Sequence, residues 1–173
     1  MNQQPPVPSE IITLLKEREG FRTVVYLDSL GVSTVGLGHK LLPSELHLYP
    51  IGSTVPEDIL NGWMGDDTMG AYVAAKSQAR QIGLNDPRLI NALAVVSFQL
   101  GDFWYKKFPK AWAFMLVHQW PEAVAEIRDS LWDKQTPVRT ADFIGVLRSF
   151  EPPAIGTFPG LGAPLNNGGE HNG

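Results

Sequence analysis

EGFRTVVYLDSLGVSTVGLGH, residues 19 to 39, is the stretch from which the rest of the chain can be placed. Ahead of it, Pro8 and Ser9 give a helix start. Ile11, Ile12, Leu14 and Leu15 supply an apolar stripe, and Gly20 supplies a stop, so Glu19 falls in a helix's last turn. A carboxylate there faces the negative end of the helix dipole, a setting suited to a proton donor. From Thr23 to Tyr26 the composition turns β-branched and aromatic, Asp28 to Gly31 reads as a turn, and Val32 to Val35 resumes strand composition. Asp28 therefore belongs at a hairpin tip or strand end, with Thr34 six residues on and within reach of it across the hairpin. Gly36 and Gly38 alternate around Leu37, which weakens a strand but lets a backbone or ligand approach closely, as on a groove floor.

Two acids and a threonine so placed suit hydrolysis of a glycosidic bond, in which one protonated acid assists the leaving oxygen and an ionised one orients or deprotonates a water. The residues alone leave a second reading open. Glu19 as a helix-end surface acid and Asp28 as a turn residue are both ordinary.

The run resembles the phage-type lysozymes of the T-even phage lysozyme family, glycoside hydrolase family 24. Its Glu-Gly pair, the Asp nine residues after the Glu, the Thr six after the Asp and the Gly-x-Gly-His are met by Glu19-Gly20, Asp28, Thr34 and Gly36-Leu37-Gly38-His39, with no insertion. Ser97-Phe98-Gln99-Leu100-Gly101 is similar to the family's Phe-Gln-x-Gly helix end. Residues 131 to 139, LWDKQTPVR, are similar to its Trp-x-x-Gln-Thr-Pro-x-Arg segment.

The resemblance implies an α+β, mainly helical lysozyme-like fold. A small N-terminal lobe with a β-hairpin (about 9–60) and a C-terminal helical bundle lobe (about 84–150) would be joined by a helix, with the active-site cleft between them. Residues 1–8 would be an extension and 151–173 a tail. The implied activity is a muramidase cutting the β-1,4 bond between N-acetylmuramic acid and N-acetylglucosamine in peptidoglycan, with Glu19 as general acid. Asp28 and Thr34 would hold the attacking water, giving inversion, for which the carboxyls stand roughly 6.5–9.5 Å apart. Arg139 matches an arginine that pairs with the catalytic Glu. Gly38 and His39 support the site, His39 through a carboxylate at Asp66 or Asp67, and Gln99 and Trp132 fall at the far wall of the groove and the lobe interface. A lytic transglycosylase, or a catalytically silent wall-binding or virion protein of the same fold, are the rival readings.

Composition narrows the partners. The chain has 173 residues, 43% of them apolar, no Cys and a net charge of −4, with no Lys/Arg run, which disfavours nucleic acid as a partner. The mildly acidic balance departs from the basic character of many endolysins and weakens long-range steering toward an anionic envelope. The four His have no ligand spacing and Asp66-Asp67 alone makes no calcium loop, so neither metal nor cofactor is expected. The Gly31 to Gly38 run lacks the Lys and the following helix of a phosphate loop. No apolar stretch reaches bilayer length, so membrane insertion is not expected. A monomer folding in the host cytoplasm and reaching the wall through a holin is what the resemblance adds.

Along the rest of the chain, 40–52 reads as an irregular link. Thr54, Pro56 and Glu57 read as a capped start of a helix running to about Gln81, kinked or broken at Gly62, Gly65 and Gly70 at roughly 1 kcal/mol each relative to Ala. Asn85 or Asp86 with Pro87 opens a core helix that ends at Gly101, and Pro109, Pro121 and Pro137 start three more, with Val124, Ile127 and Leu131 sharing one stripe. Phe103, Trp104 and Tyr105 are either sugar-stacking or packing residues. The tail from Glu151 holds four Pro and six Gly in 23 residues and forms no regular element by composition, though Phe158 and Leu161 are able to pack back on the body.

Overall fold

The computed structural model describes residues 6–152. The sequence-based packing of Phe158 and Leu161 lies outside them. The fold is α+β and lysozyme-like: a three-stranded antiparallel sheet near the N-terminus and a larger helical body.

Helix α1 (Ser9–Glu19) has Pro8 at its N-cap, without a side-chain cap. Gly20 adopts φ +79°, the left-handed conformation that ends a helix, directly after Glu19. Strands β1 (Arg22–Leu27), β2 (Ser33–Gly36) and β3 (His39–Lys40) follow in sheet order β1-β2-β3. The β1–β2 register sets Tyr26 opposite Thr34 and Leu27 opposite Ser33, and breaks between Arg22 and Tyr26. Within that break β1 turns its other edge to residues 52–55, with Val25 N–H donating to Ser53 O and Val55 N–H to Thr23 O.

Residues 40–52 are more ordered than the irregular link expected of them. They hold the end of β3 and a helix α2 (Pro43–Leu48), both too short for periodicity to reveal. Thr54 caps nothing either, because its backbone forms an isolated bridge to Val24 and Pro56 takes the N-cap position of α3 (Glu57–Ile82). That helix runs 26 residues without interruption, so the glycine break is not realised. Nor does close packing account for the glycines, since a Cβ at Gly62, Gly65 or Gly70 would meet nothing within 4 Å.

Helix α4 (Pro87–Leu100) starts where Asp86 accepts from the Arg88 N–H. A 3-10 turn (Trp104–Lys106) leads to α5 (Pro109–Leu116), α6 (Trp120–Arg128), α7 (Leu131–Gln135) and α8 (Pro137–Arg148). Leu131 does not extend the α6 stripe. It opens α7 and is exposed, because α6 stops at Arg128 and Ser130 caps a new helix.

Two apolar clusters organise the chain. Val25, Val35, Val55, Leu60 and Met64 form the smaller, beneath the sheet. The larger is built from α1, the C-terminal half of α3 and the helices after it, with Trp104, Trp112, Trp120 and Trp132 all in its interior. Helix α3 belongs to both, through Leu60 and Met64 at one end and Ala75, Ala79 and Ile82 at the other.

Candidate active site

Glu19 is the last residue of α1, and Arg139, in the first turn of α8, reaches it across 120 positions of sequence. Arg139 Nη2 donates to Glu19 Oε2 at 2.8 Å and to the Arg18 carbonyl at 3.3 Å. Next to this pair, Arg18 holds Asp142 through Nε and Nη2 at 2.6 and 3.1 Å, so two ion pairs fasten the end of α1 to α8. Both sit partly out of solvent, where a pair is screened less than on an open surface. The other oxygen of Glu19, Oε1, is buried without a hydrogen-bond partner, and so are both amide atoms of Gln99 near the C-terminus of α4. Among the described residues these three are the buried side-chain polar atoms left unpaired. An unpaired buried acceptor or donor costs on the order of 1–3 kcal/mol, which a bound ligand can offset by supplying the missing bond.

Asp28 closes the turn between β1 and β2. Its Oδ1 accepts the Leu30 N–H at 2.8 Å and the Val32 N–H at 2.9 Å, while Lys40 Nζ stands 3.9 Å from Oδ2. The Val32 amide bond first, then that of Leu30 and the Lys40 charge, hold its carboxyl below the usual carboxylate range, against an opposing push from burial. One oxygen is thus committed to the backbone and the other points to a cation and to solvent.

Thr34 is 2% exposed and spends its one hydroxyl proton on the Val32 carbonyl at 2.9 Å, so toward any further partner it can only accept. Thr34 pairs with Tyr26 and not with Asp28, although the two-residue alternation puts Asp28, Tyr26, Val32 and Thr34 on the same face of the hairpin. Among the described residues no hydrogen bond or ion pair joins Glu19 to either of them.

Gly38 has φ +101° in the turn between β2 and β3, a conformation that side chains resist. Together with Leu37, His39, Asp67 and Phe98 it lines a groove of about 480 Å³ that runs from the hairpin to the end of α4. Glu19, Asp28 and Thr34 are not among its lining residues. His39 is fixed from three sides: Nδ1 lies 2.9 Å from Asp67 Oδ2, Nε2 lies 3.2 Å from Glu45 Oε2, and the ring stacks on Trp63 at 4.6 Å. Of the two neighbouring acids Asp67 is the partner. Glu45 was not legible in the sequence, since its segment read as irregular. It also accepts the Leu42 N–H and so binds α2 to the hairpin.

Trp132 is buried between Phe108 and Phe143, at 5.7 and 5.9 Å, inside the aromatic core of the helical body. The Phe103-Trp104-Tyr105 cluster divides by residue. Trp104 is fully buried, with its indole N–H donating to Gln78 Oε1, whereas Phe103 is 63% exposed. Among the described residues no group of three or more His, Cys, Asp or Glu is placed to hold a metal ion.

No profile of a described protein family matches the chain. It is similar to a probable T4-type lysozyme 2 of Dictyostelium discoideum, 27% identical over 161 residues, covering 82% of this chain and 95% of that protein. It is also similar to the peptidoglycan hydrolase gp36 of Pseudomonas phage phiKMV, 30% identical over 130 residues and 75% of this chain. A further relative is the pre-baseplate central spike protein Gp5 of Enterobacteria phage T4, 25% identical over 156 residues and 74% of this chain. The chain spans 14% and 26% of the two phage proteins, so it corresponds to one segment of each. These relatives, at moderate identity, and the lysozyme-like α+β fold support a likeness of the chain to the phage-type, T4-type lysozymes.

Proposed function

We propose that the protein is a peptidoglycan-degrading muramidase, hydrolysing the β-1,4 bond between N-acetylmuramic acid and N-acetylglucosamine. The observation that carries the reading is the state of Glu19: one carboxyl oxygen is held by Arg139 and the other is buried and unpaired. With its proton on Oε1, Glu19 would donate to a glycosidic oxygen brought there, and a carboxyl anchored through its other oxygen is oriented for that transfer.

In this mechanism Glu19 protonates the leaving oxygen. Asp28 stays ionised, with Oδ1 saturated by backbone amides, and presents Oδ2 to a water. Thr34, whose proton is already given to Val32, accepts a hydrogen from the same water. A water donating both hydrogens to protein acceptors turns a lone pair toward the anomeric carbon; as its oxygen bonds there from the face opposite the leaving group, the glycosidic bond breaks, the water's proton passes to Asp28 Oδ2 and the centre is inverted. The buried Gln99 amide offers a donor and an acceptor suited to an N-acetyl group. Glu19 and Arg139 come from one chain, and the reading takes the protein as a monomer. Among the described residues no helix is long and apolar enough to cross a membrane. From the resemblance, passage from the host cytoplasm to the wall is assigned to a holin.

Glu19→Gln tests the proposal. The variant should keep its fold by circular dichroism and lose clearing on a zymogram of purified peptidoglycan, while the parent releases new reducing ends. A 1,6-anhydro product from the parent would indicate a transglycosylase. No product from a folded parent would indicate a silent wall-binding protein.

A further inference from the structure

The face of α3 that carries Asp67 into the hairpin groove does not end there. Gly70, Ala74, Ser77 and Gln81 follow at helical spacing on the same face and form one wall of a second groove of about 470 Å³. On the opposite wall, Phe98 of the first groove gives way, just past the end of α4, to Asp102, Phe103 and Tyr105 of the second. From Asp67 to Gln81 the helix rises about 21 Å at 1.5 Å per residue, a span for several pyranose rings. The two grooves thus follow one helix face end to end.

The second groove carries an aromatic ring that is largely exposed. Phe103 is 63% exposed although it neighbours one of the most densely aromatic cores in the chain. It is not loose. Tyr105 meets it edge-on at 6.2 Å and stacks on Trp112 at 4.8 Å, and Lys106 Nζ lies 4.6 Å over its ring. Beneath the turn, the buried Gln78 side chain donates to the Asp102 carbonyl at 2.8 Å and accepts from Trp104 Nε1 at 3.1 Å, so the backbone that carries Phe103 is pinned from the core. The same groove is lined by a neutral hydroxyl, Ser77, and a neutral amide, Gln81. A rigid apolar face beside uncharged hydrogen-bonding groups is complementary to a sugar ring, which has C–H groups on its faces and hydroxyl and acetamido groups at its edge.

We infer that this groove is a distal glycan-binding site, in which Phe103 stacks on a sugar of the strand whose scissile bond lies in the cleft, with Ser77 and Gln81 bonding to its edge. The assignment rests on the muramidase reading for the identity of the glycan, and on the continuity and chemistry of the groove for its existence. Its role is to hold a long strand along the α3 face, which favours polymeric over short substrates.

The test uses the full-length protein carrying Glu19→Gln, so that the ligand is not consumed, with amidase-stripped, peptide-free glycan strands as the probe. Phe103→Ala should weaken strand binding roughly five- to tenfold, in the range expected for one aromatic contact, and Phe103→Trp should restore it. Gln81→Ala, on the opposite wall and outside the aromatic core, provides a second reading should Phe103→Ala lower the melting temperature. Unchanged strand binding by both alanine variants overturns the inference. So does a loss seen with intact sacculi alone, which would assign the groove to stem peptide. Release of reducing ends by the parent from the same strands reports separately on the muramidase reading. A parent that cleaves while both alanine variants bind normally defeats this inference alone, and Phe103-dependent binding by a parent that cleaves nothing defeats only the other.

Discussion

Replacing Gln78 by Leu tests whether the turn after α4 is held by one buried amide. Gln78 is 2% exposed and serves two groups that have no alternative, the Trp104 indole N–H and the Asp102 carbonyl, besides approaching Ser97 Oγ at 3.3 Å. Leucine keeps most of the volume and supplies neither acceptor nor donor. Each orphaned group costs about 1–3 kcal/mol, and the Asp102 end is nearer to solvent, so the expected destabilisation is about 2–4 kcal/mol. At about 2–4 °C per kcal/mol for a chain of this size, the melting temperature should fall by about 5–15 °C. Urea titration with unchanged slope measures the difference directly. The double variant Gln78→Leu/Trp104→Phe removes the indole donor together with its acceptor. It should be less destabilised than the sum of the single changes by about 1 kcal/mol or more. A loss below about 1 kcal/mol for Gln78→Leu, or strict additivity in the cycle, refutes the reasoning.

Asp28→Asn should preserve the turn, because the amide oxygen can accept from Leu30 and Val32, yet lower clearing on the order of 100-fold by removing the charge; parent-like clearing counts against a role for that carboxylate. The folded-state value of Asp28 lies below the unfolded one, so its contribution to stability is present above the unfolded value and is lost as pH falls through the folded one. Urea midpoints of parent and Asp28→Asn should therefore converge in strong acid, and parallel curves would disprove the linkage. Arg139→Lys keeps a positive charge but not the planar guanidinium that fixes Nη2 between Glu19 Oε2 and the Arg18 carbonyl. A misplacement near 1 Å predicts a fall in kcat on the order of 100-fold with little change in melting temperature, and full activity in a turbidity assay speaks against a positioning role.

Much of the helical body was legible because its signals are local. Asp86-Pro87, Pro109 and Pro137 each mark a helix start within a residue or two, since a ring that fixes φ and lacks an N–H fits a first turn wherever it occurs. The hairpin was legible for the same reason, from strand composition on either side of Asp28-Ser29-Leu30-Gly31. What escaped depends on distant partners. Thr54 has the chemistry of a cap, but its backbone is taken by Val24, thirty positions earlier. The carboxylate of Glu45 on His39 and the amide of Gln78 under Trp104 have no sequence signature, because sequence distances of 6 and 26 become contacts only after α2, α3 and α4 have packed. The Glu19–Arg139 pair, spanning 120 positions, was expected only through the resemblance, and composition or periodicity alone would not have named it.

The glycines of α3 have a mechanical consequence. At Gly62, Gly65 and Gly70 a methyl group would touch nothing, and alanine at exposed helix positions stabilises by about 0.4–1 kcal/mol each. Gly65 and Gly70 lie between the stretch anchored under the sheet and the stretch anchored among the tryptophans, so the beam linking the two clusters is most compliant at midspan. Stiffening it with alanines should yield a hardier protein that breathes less, and a cross-linked mesh, which must be admitted sideways, would register that loss before a soluble fragment did.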